Sequence, residues 1–387
     1  MLSFNNTEIA FSNKTNRDLN QSYWLFKIMS SNTVVSIGNK LIYVALKLHL
    51  PITGLIKATI FKQFCGGETI EECDKKITLL GRSGIGTILD YSVEGKENEC
   101  DFDACATETI NTVKKSTTTN NIPFCVFKVT GVARFGVLEK VASNQLLTDE
   151  EKTEYERIFK RIDSICSSAF KAKVPVFIDA EESWIQNAID TIADEMMERY
   201  NKEIAIVYNT FQMYRKDRLA YLKTSFEKAR VKKYFLGAKL VRGAYMEKER
   251  NRALEKNYAS PIHENKDATD TDYNSALLFC IDNIDTIAFC AATHNENSCS
   301  YLAQLIEEKG IQKSNKHIYF AQLLGMSDHI SYNLSNAGYN VAKYVPYGPV
   351  KEVLPYLIRR AQENTFVKGQ TGRELSLIIK EKARRRK

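Results

Sequence analysis

The chain has 387 residues, 44% of them apolar and 26% charged, with a formal net charge of +7. These values are ordinary for a soluble globular protein, and the length suits two or three small domains or one large α/β domain with an extension. The nine cysteines form no C-x-x-C pair and the five histidines no metal-ligand pattern, so a metal module is excluded and free thiols in a reducing compartment are expected.

In chain order, the start "MLSFNNTEIA" has neither the basic n-region nor the apolar run of a secretory leader, and no mitochondrial transit peptide is visible. Residues 1–80 read as an N-terminal helical region. "NRDLNQSYWLFKIMSS" and "GETIEECDKKITLLGRSG" both show helical periodicity with Asn, Thr or Gly at their ends. The apolar stretch "LIYVALKLHLPITGLIKATI" is interrupted by Lys47, His49, Pro51 and Lys57. That is too broken for a spanning helix, although an amphipathic segment lying on a membrane stays open.

From residue 85 onward a short apolar run alternates with a longer helical stretch. The runs are "GTILDYS" (86–92), "FCVFKVTGV" (124–132), "VPVFIDAEE" (174–182), "IAIVYNTFQ" (204–212), "AKLVRGAY" (238–245), "TIAFCAATH" (286–294), "HIYFAQLLG" (317–325) and "NVAKYVPYG" (340–348). Eight strand–helix units predict an α/β fold, a closed (β/α)8 TIM-like barrel over residues 81–372. An open doubly wound sheet is the alternative, but no G-x-G-x-x-G follows an early strand. Residues 373–387, ending in "KEKARRRK", read as a basic C-terminal tail, solvated in the first instance. No nucleic-acid partner is expected.

In such barrels the chemistry sits at the C-terminal ends of the strands. There the sequence places Asp90, Lys128, Asp179, Gln212, Arg242 with Tyr245, Thr293 with His294, Gln322 and Tyr344. A polar residue on nearly every strand of a barrel needs a partner or a task. Lys128 is open to three readings: a buried lysine paired with Asp90 or Asp179, an anion ligand, or a Schiff-base amine. His294 also reads as a core histidine, Tyr245 and Tyr344 as packing aromatics, and "EES" after Asp179 as a helix cap. In "YLIRRAQENTF" (356–366), Tyr356, Arg359, Arg360 and Glu363 share one helix face. Two guanidinium forks beside a ring and a carboxylate suit a small anionic substrate, a carboxylate more than a phosphate.

The phrases "ILDY", "FIDAEES", "NTFQMYRKD", "KLVRGAYMEKER", "ATHNENS", "QLLGM" and "YVPYGPVKEVLPYLIRRAQENTF" occur in the order found in the proline dehydrogenase family, which the chain resembles over about residues 80–370. The resemblance implies a monofunctional, FAD-dependent enzyme that oxidises L-proline to Δ1-pyrroline-5-carboxylate and passes electrons to a membrane quinone. It implies that Arg359, Arg360 and Lys128 bind the proline carboxylate, and that Glu363 steadies the arginines. Tyr245, Tyr344, Tyr356 and Leu323 would wall the ring. Gln212, Lys239, Val241, Arg242, Gly243, Ala244, Thr293 and His294 would contact the cofactor, and Asp179 would support Lys128 or the arginines. Closure of the last helix over the substrate would be the gating step. Some bacterial members carry Arg in place of Lys239 and Trp-Asp in place of Met246-Glu247, which bears on flavin tuning. The implied location is cytoplasmic, peripheral on the inner face of a membrane, or mitochondrial if eukaryotic. Two rivals stay open: a hydroxyproline dehydrogenase, against which Tyr344 argues by crowding a ring hydroxyl, and a Schiff-base lyase using Lys128 or Lys239. A non-catalytic scaffold is at odds with the polar strand ends.

Overall fold

A computed structural model describes residues 2–31, 33–38, 48, 52–92, 97–366 and 370–386, with their side chains apart from those of 362–366, 370 and 371. Eight parallel strands close into a barrel in chain order: β1 (Ile85–Tyr91), β2 (Phe124–Lys128), β3 (Val176–Asp179), β4 (Val207–Gln212), β5 (Leu236–Val241), β6 (Ile287–Ala292), β7 (Ile318–Leu323) and β8 (Val341–Tyr347). Each of the eight apolar runs supplies one strand, and the expected α/β barrel is the observed fold. The runs end early where the backbone turns. After Lys128, residues Val129–Gly131 form a 3-10 turn, and after Asp179 the chain leaves the sheet. The chain divides into two compact units, residues 95–321 and residues 1–94 with 322–387.

In the unit of residues 95–321, long amphipathic helices cover the strands. Helix Asp149–Ala172 starts on a capping box in which Thr148 and Glu151 satisfy each other's backbone N–H groups. Inside the barrel, the Phe124 and Phe177 rings of β2 and β3 stack with centroids 4.4 Å apart, the Tyr208 ring of β4 meets both edge-on, and Tyr319 of β7 meets Phe124 edge-on. Asn201 is fully buried and bonds four backbone groups: its amide donates to the Val207 and Phe235 carbonyls, and its oxygen accepts from Ile206 and Val207. That stitching fixes the starts of β4 and β5, so the functional groups at their far ends project from a rigid base.

In the unit of residues 1–94 and 322–387, β1 pairs with β8 in register from Ile85↔Val341 to Tyr91↔Tyr347. Helix Asn16–Met29 begins on a Thr15–Asp18 capping box. The second expected N-terminal helix is shorter than its periodicity suggests, covering only Asp74–Gly81. Ahead of it, Gly67 bridges to Tyr347 and Glu72 accepts the Glu68 N–H, so the chain is committed to a turn. A helical run over residues 53–64, with a π-turn at Lys57–Phe61, buries Ile56, Phe61 and Phe64 beside Val353 and beside Leu354 and Leu357 of helix Leu354–Phe366. Of the described residues in the apolar stretch considered for membrane contact, Ile56 is buried, whereas Leu48 and Leu55 are exposed. Residues 39–47 and 49–51 of that region lie outside the described residues.

The basic end of the chain is not a solvated tail. Residues Gln370–Arg384 form a helix whose Leu377 and Ile378 are buried against Ala10, Phe11, Leu19 and Phe26. Glu381, also buried, accepts from Arg384 and Arg385, and Arg385 further donates to the Phe11 and Lys14 carbonyls at 2.8 Å each. The hydrophobic contribution of two buried aliphatic side chains, about 1.5–3 kcal/mol each, outweighs the repulsion within a short basic run.

Candidate active site

The last residue of β2 and the last residue of β3 meet as an ion pair. Lys128 donates to Asp179 Oδ2 at 2.7 Å, and Lys239 of β5 binds the other oxygen of the same carboxylate. Lys239 is buried and also lies 5.2 Å from the centre of the Phe177 ring. Burial alone would raise the Asp179 pKa, but the charges and hydrogen bonds of Lys128 and Lys239 outweigh it and hold the carboxyl below its ordinary value. Asp179, one of the two partners considered for Lys128, is bonded to it, and Asp90 accepts from the Ser92 hydroxyl at 2.8 Å. Lys239, which the sequence suggested as a cofactor contact, has its amine on Asp179.

Around Arg242, just past β5, a second group is assembled. Its Nε donates to Asp270 at 2.7 Å, Nη1 to the Thr293 hydroxyl at 2.5 Å and Nη2 to the Ser298 hydroxyl at 2.9 Å, while its plane lies 4.4 Å from the centre of the Tyr273 ring. Four contacts on one guanidinium fix its direction. Gly243 follows at φ 138°, and a Cβ there would come within 2.4 Å of the Tyr214 ring, so only glycine fits. Gly243 and Ala244 are exposed, and Val241 and Tyr245 are half-buried. His294 stands next to Thr293 at the end of β6, half-buried. Gln212 is buried and donates to the Glu181 carbonyl at 2.7 Å.

The structure adds residues that the sequence reading passed over. No residue of "EES" caps the following helix Ser183–Tyr200 with its side chain. The cap comes from far along the chain: Glu249 accepts the Ser183 N–H and hydroxyl, each at 2.6 Å. Glu181 reaches back to Thr130, accepting its N–H at 3.0 Å and bonding its hydroxyl. Burial, opposed mainly by Lys128, pushes the Glu181 carboxyl up to about 7. Its position two residues after Asp179, in an apolar run, was the available signal.

In the other unit, Tyr344 is 7% exposed on β8, and its carbonyl accepts the Leu324 N–H at 2.8 Å. Leu323, at the end of β7, packs against the apolar cluster that contains Tyr356. The expected helix face is seen in part: Arg360, 8% exposed, lies with its guanidinium carbon 5.3 Å from the centre of the Tyr356 ring one turn earlier. Arg359 is half-buried, and the side chain of Glu363 lies outside the described residues. The missed residue here is Lys343, fully buried on β8, which donates to Asp328 at 2.9 Å and to the Met326 carbonyl at 2.8 Å. Gln322 accepts from the Ser331 hydroxyl at 2.8 Å. Among the described residues no group of His, Cys, Asp or Glu could hold a metal ion.

With this geometry established, comparison with known proteins is specific. A family model described as "Proline dehydrogenase" matches residues 73–373. "Proline dehydrogenase 1, mitochondrial" of Dictyostelium discoideum is 34% identical over 98% of this chain and 74% of its own length. "Carbapenem antibiotics biosynthesis protein CarD" of Pectobacterium carotovorum subsp. carotovorum is 35% identical over 83% of each chain. Among solved structures, proline utilization A from Bdellovibrio bacteriovorus, inactivated by N-propargylglycine, superposes with a TM-score of 0.72 at 19% identity. That match covers 93% of this chain and 38% of the other.

Proposed function

The chain belongs to the proline dehydrogenase family, and from that premise we propose that it oxidises L-proline to Δ1-pyrroline-5-carboxylate with FAD as its redox group. The family match over residues 73–373 carries the reading. The residues present fit a flavin. Gly243 lies flat on the Tyr214 ring where no side chain fits, the adjoining backbone is exposed, and Arg242 is braced by Asp270, Thr293 and Ser298. Residues Val241 to Ala244, with Gln212, Lys239, Thr293 and His294, would hold it, Lys239 acting through Asp179. When bound, the flavin supplies the hydride acceptor.

The chain's own residues do the rest. Arg359 and Arg360 bind the proline carboxylate through paired N–H donors, with Glu363 steadying them. Lys128, held by Asp179, adds an ammonium. Tyr245, Tyr344, Tyr356 and Leu323 enclose the ring and exclude water, which favours the neutral amine that hydride loss requires. The Lys128–Asp179–Lys239 arrangement argues against the Schiff-base reading, since a carboxylate shared by two lysines favours ammonium groups over a nucleophilic amine. A membrane quinone would be the acceptor that reoxidises the bound group. The protein would act as a peripheral protein, on the inner face of the bacterial membrane or in the mitochondrion. Among the described residues no helix is long and apolar enough to cross a membrane. Exposed Trp24, Ile28, Leu48 and Leu55 are the side chains to test in vesicle co-sedimentation.

An anaerobic absorbance spectrum tests the central claim. Flavin bands that bleach with L-proline and persist with trans-4-hydroxyproline are expected. A protein that stays colourless after FAD is added overturns the flavin assignment, and bleaching by hydroxyproline alone selects the rival substrate.

A further inference from the structure

Building on the carboxylate-binding reading above, we propose that Glu181 is a positioning residue for Lys128: it holds the turn that follows this lysine and sets how much positive charge the lysine offers the substrate carboxylate. Glu181 lies two residues past β3 and is 3% exposed. One carboxyl oxygen accepts the Thr130 N–H at 3.0 Å and the other bonds the Thr130 hydroxyl. Thr130 is the middle of the Val129–Gly131 turn, which begins at Lys128. The end of β3 therefore grips the end of β2 twice, Asp179 on the lysine amine and Glu181 on the backbone beyond it.

Glu181 is itself clamped at both peptide groups. Its N–H donates to Gln186 Oε1 at 2.8 Å, and its carbonyl accepts from Gln212 Nε2 at 2.7 Å. Gln186 donates in turn to Asp190 Oδ1 at 2.9 Å, Asn209 donates to the same oxygen at 2.9 Å, and Arg218 pairs with Asp190 Oδ2 at 2.6 Å. All of these side chains are buried, so Glu181 cannot turn away without exposing unsatisfied polar groups.

The charges around it give a sign. Lys128 faces it from β2, and Asp179 stands beside it on β3, bound also by Lys239 of β5. Glu182 follows in the chain, paired with Lys248 of helix Met246–Glu255, and Glu249 of that helix is engaged by Ser183. Burial, opposed by Lys128, brings the Glu181 carboxyl to about 7. Below that pH Glu181 is neutral, and the two lysines outnumber Asp179 by one charge. Above it the Glu181 carboxylate cancels that surplus, so affinity for an anion falls as pH rises through neutrality.

The test is calorimetric titration of the holoenzyme with cyclopentanecarboxylate, a five-membered-ring carboxylate with no amine to titrate. For the wild type, binding roughly threefold to tenfold weaker at about pH 8 than at about pH 6 is expected. Glu181→Gln keeps an acceptor for the Thr130 N–H but carries no charge, and should show the low-pH affinity of the wild type at both. Glu181→Ala, lacking the tether, should bind more weakly at both. A Glu181→Gln variant with the pH dependence of the wild type assigns the effect to another group, such as His294, and overturns the proposal, as does unchanged affinity in Glu181→Ala. Failure of the wild type to bind the probe at either pH overturns the carboxylate-binding reading itself, and this inference with it.

Discussion

Two regions of the molecule place different groups against their key cations. Lys128 and Lys239 share the Asp179 carboxylate, whereas Arg360 is laid along the Tyr356 ring in a helix anchored by Leu354 and Leu357. A carboxylate fixes an ammonium by charge and hydrogen bonds, so its removal is costly and its effect depends on pH. A ring touches the face of a guanidinium, a contact that the titration of a carboxylate does not switch.

The largest expected effect comes from breaking the first arrangement. Asp179→Ala leaves Lys239, buried on β5, with its carboxylate removed, and should cost about 3–5 kcal/mol of stability in urea denaturation. The acid limb of the wild type should show the same contact. The Asp179 pKa is lower folded than unfolded, so its contribution is present above about pH 4 and is lost as pH falls below that value. A variant as stable as the wild type would mean that the lysines do not depend on Asp179.

Arg360→Ala should behave the other way round. Its expected effect is on ligand affinity, about 2–5 kcal/mol weaker for L-proline, with FAD still bound. Arg359→Ala should act likewise. Stability should fall by much less than for Asp179→Ala. Proline affinity equal to the wild type in both arginine variants would remove the carboxylate clamp.

Glu181 sharpens the contrast through pH. Its carboxyl is near 7 folded, mainly by burial, against an ordinary value of 4.5, so the folded state holds the proton more tightly. The associated stability is fully present below about pH 4.5 and is lost as pH rises through about 7. Wild-type stability relative to Glu181→Gln should therefore decline by up to about 3 kcal/mol between those limits, measured by denaturant midpoints at each pH. A constant difference would place Glu181 outside the titrating set.

The barrel was legible in the sequence because its strands are near-continuous β-branched runs and its helices keep their period, both local properties of the chain. Polar residues closing those runs, such as Lys128, Asp179 and Gln212, were legible because an apolar strand has no other reason to carry them. The partnerships were not. Lys239 and Asp179 lie 60 residues apart, and Glu249 caps a helix 66 residues earlier, distances that no local pattern encodes. The C-terminal helix failed for a related reason. Its charge run dominates the local reading, while the cluster that buries Leu377 and Ile378 comes from the first 26 residues.

The smallest expected effect lies on the ring side of the comparison. Tyr356 and Arg360 are one turn apart on helix Leu354–Phe366, and Tyr356 is also packed among Val353, Leu357 and Ala361. Tyr356→Phe keeps the ring and should leave the guanidinium in place. Tyr356→Leu keeps apolar bulk and removes the π face, so the cation–π part alone is lost, about 0.5–1 kcal/mol. A double-mutant cycle with Arg360→Met isolates it, because Met retains an unbranched stem of similar reach without the charge. If the ring only fills space, the cycle closes to zero coupling and proline affinity in Tyr356→Leu follows lost packing. If the ring orients the guanidinium, proline affinity falls in Tyr356→Leu but not in Tyr356→Phe, and no further in the double variant than in Arg360→Met alone. That second pattern is expected, since the Tyr356 ring lies against the guanidinium that the proposed clamp uses.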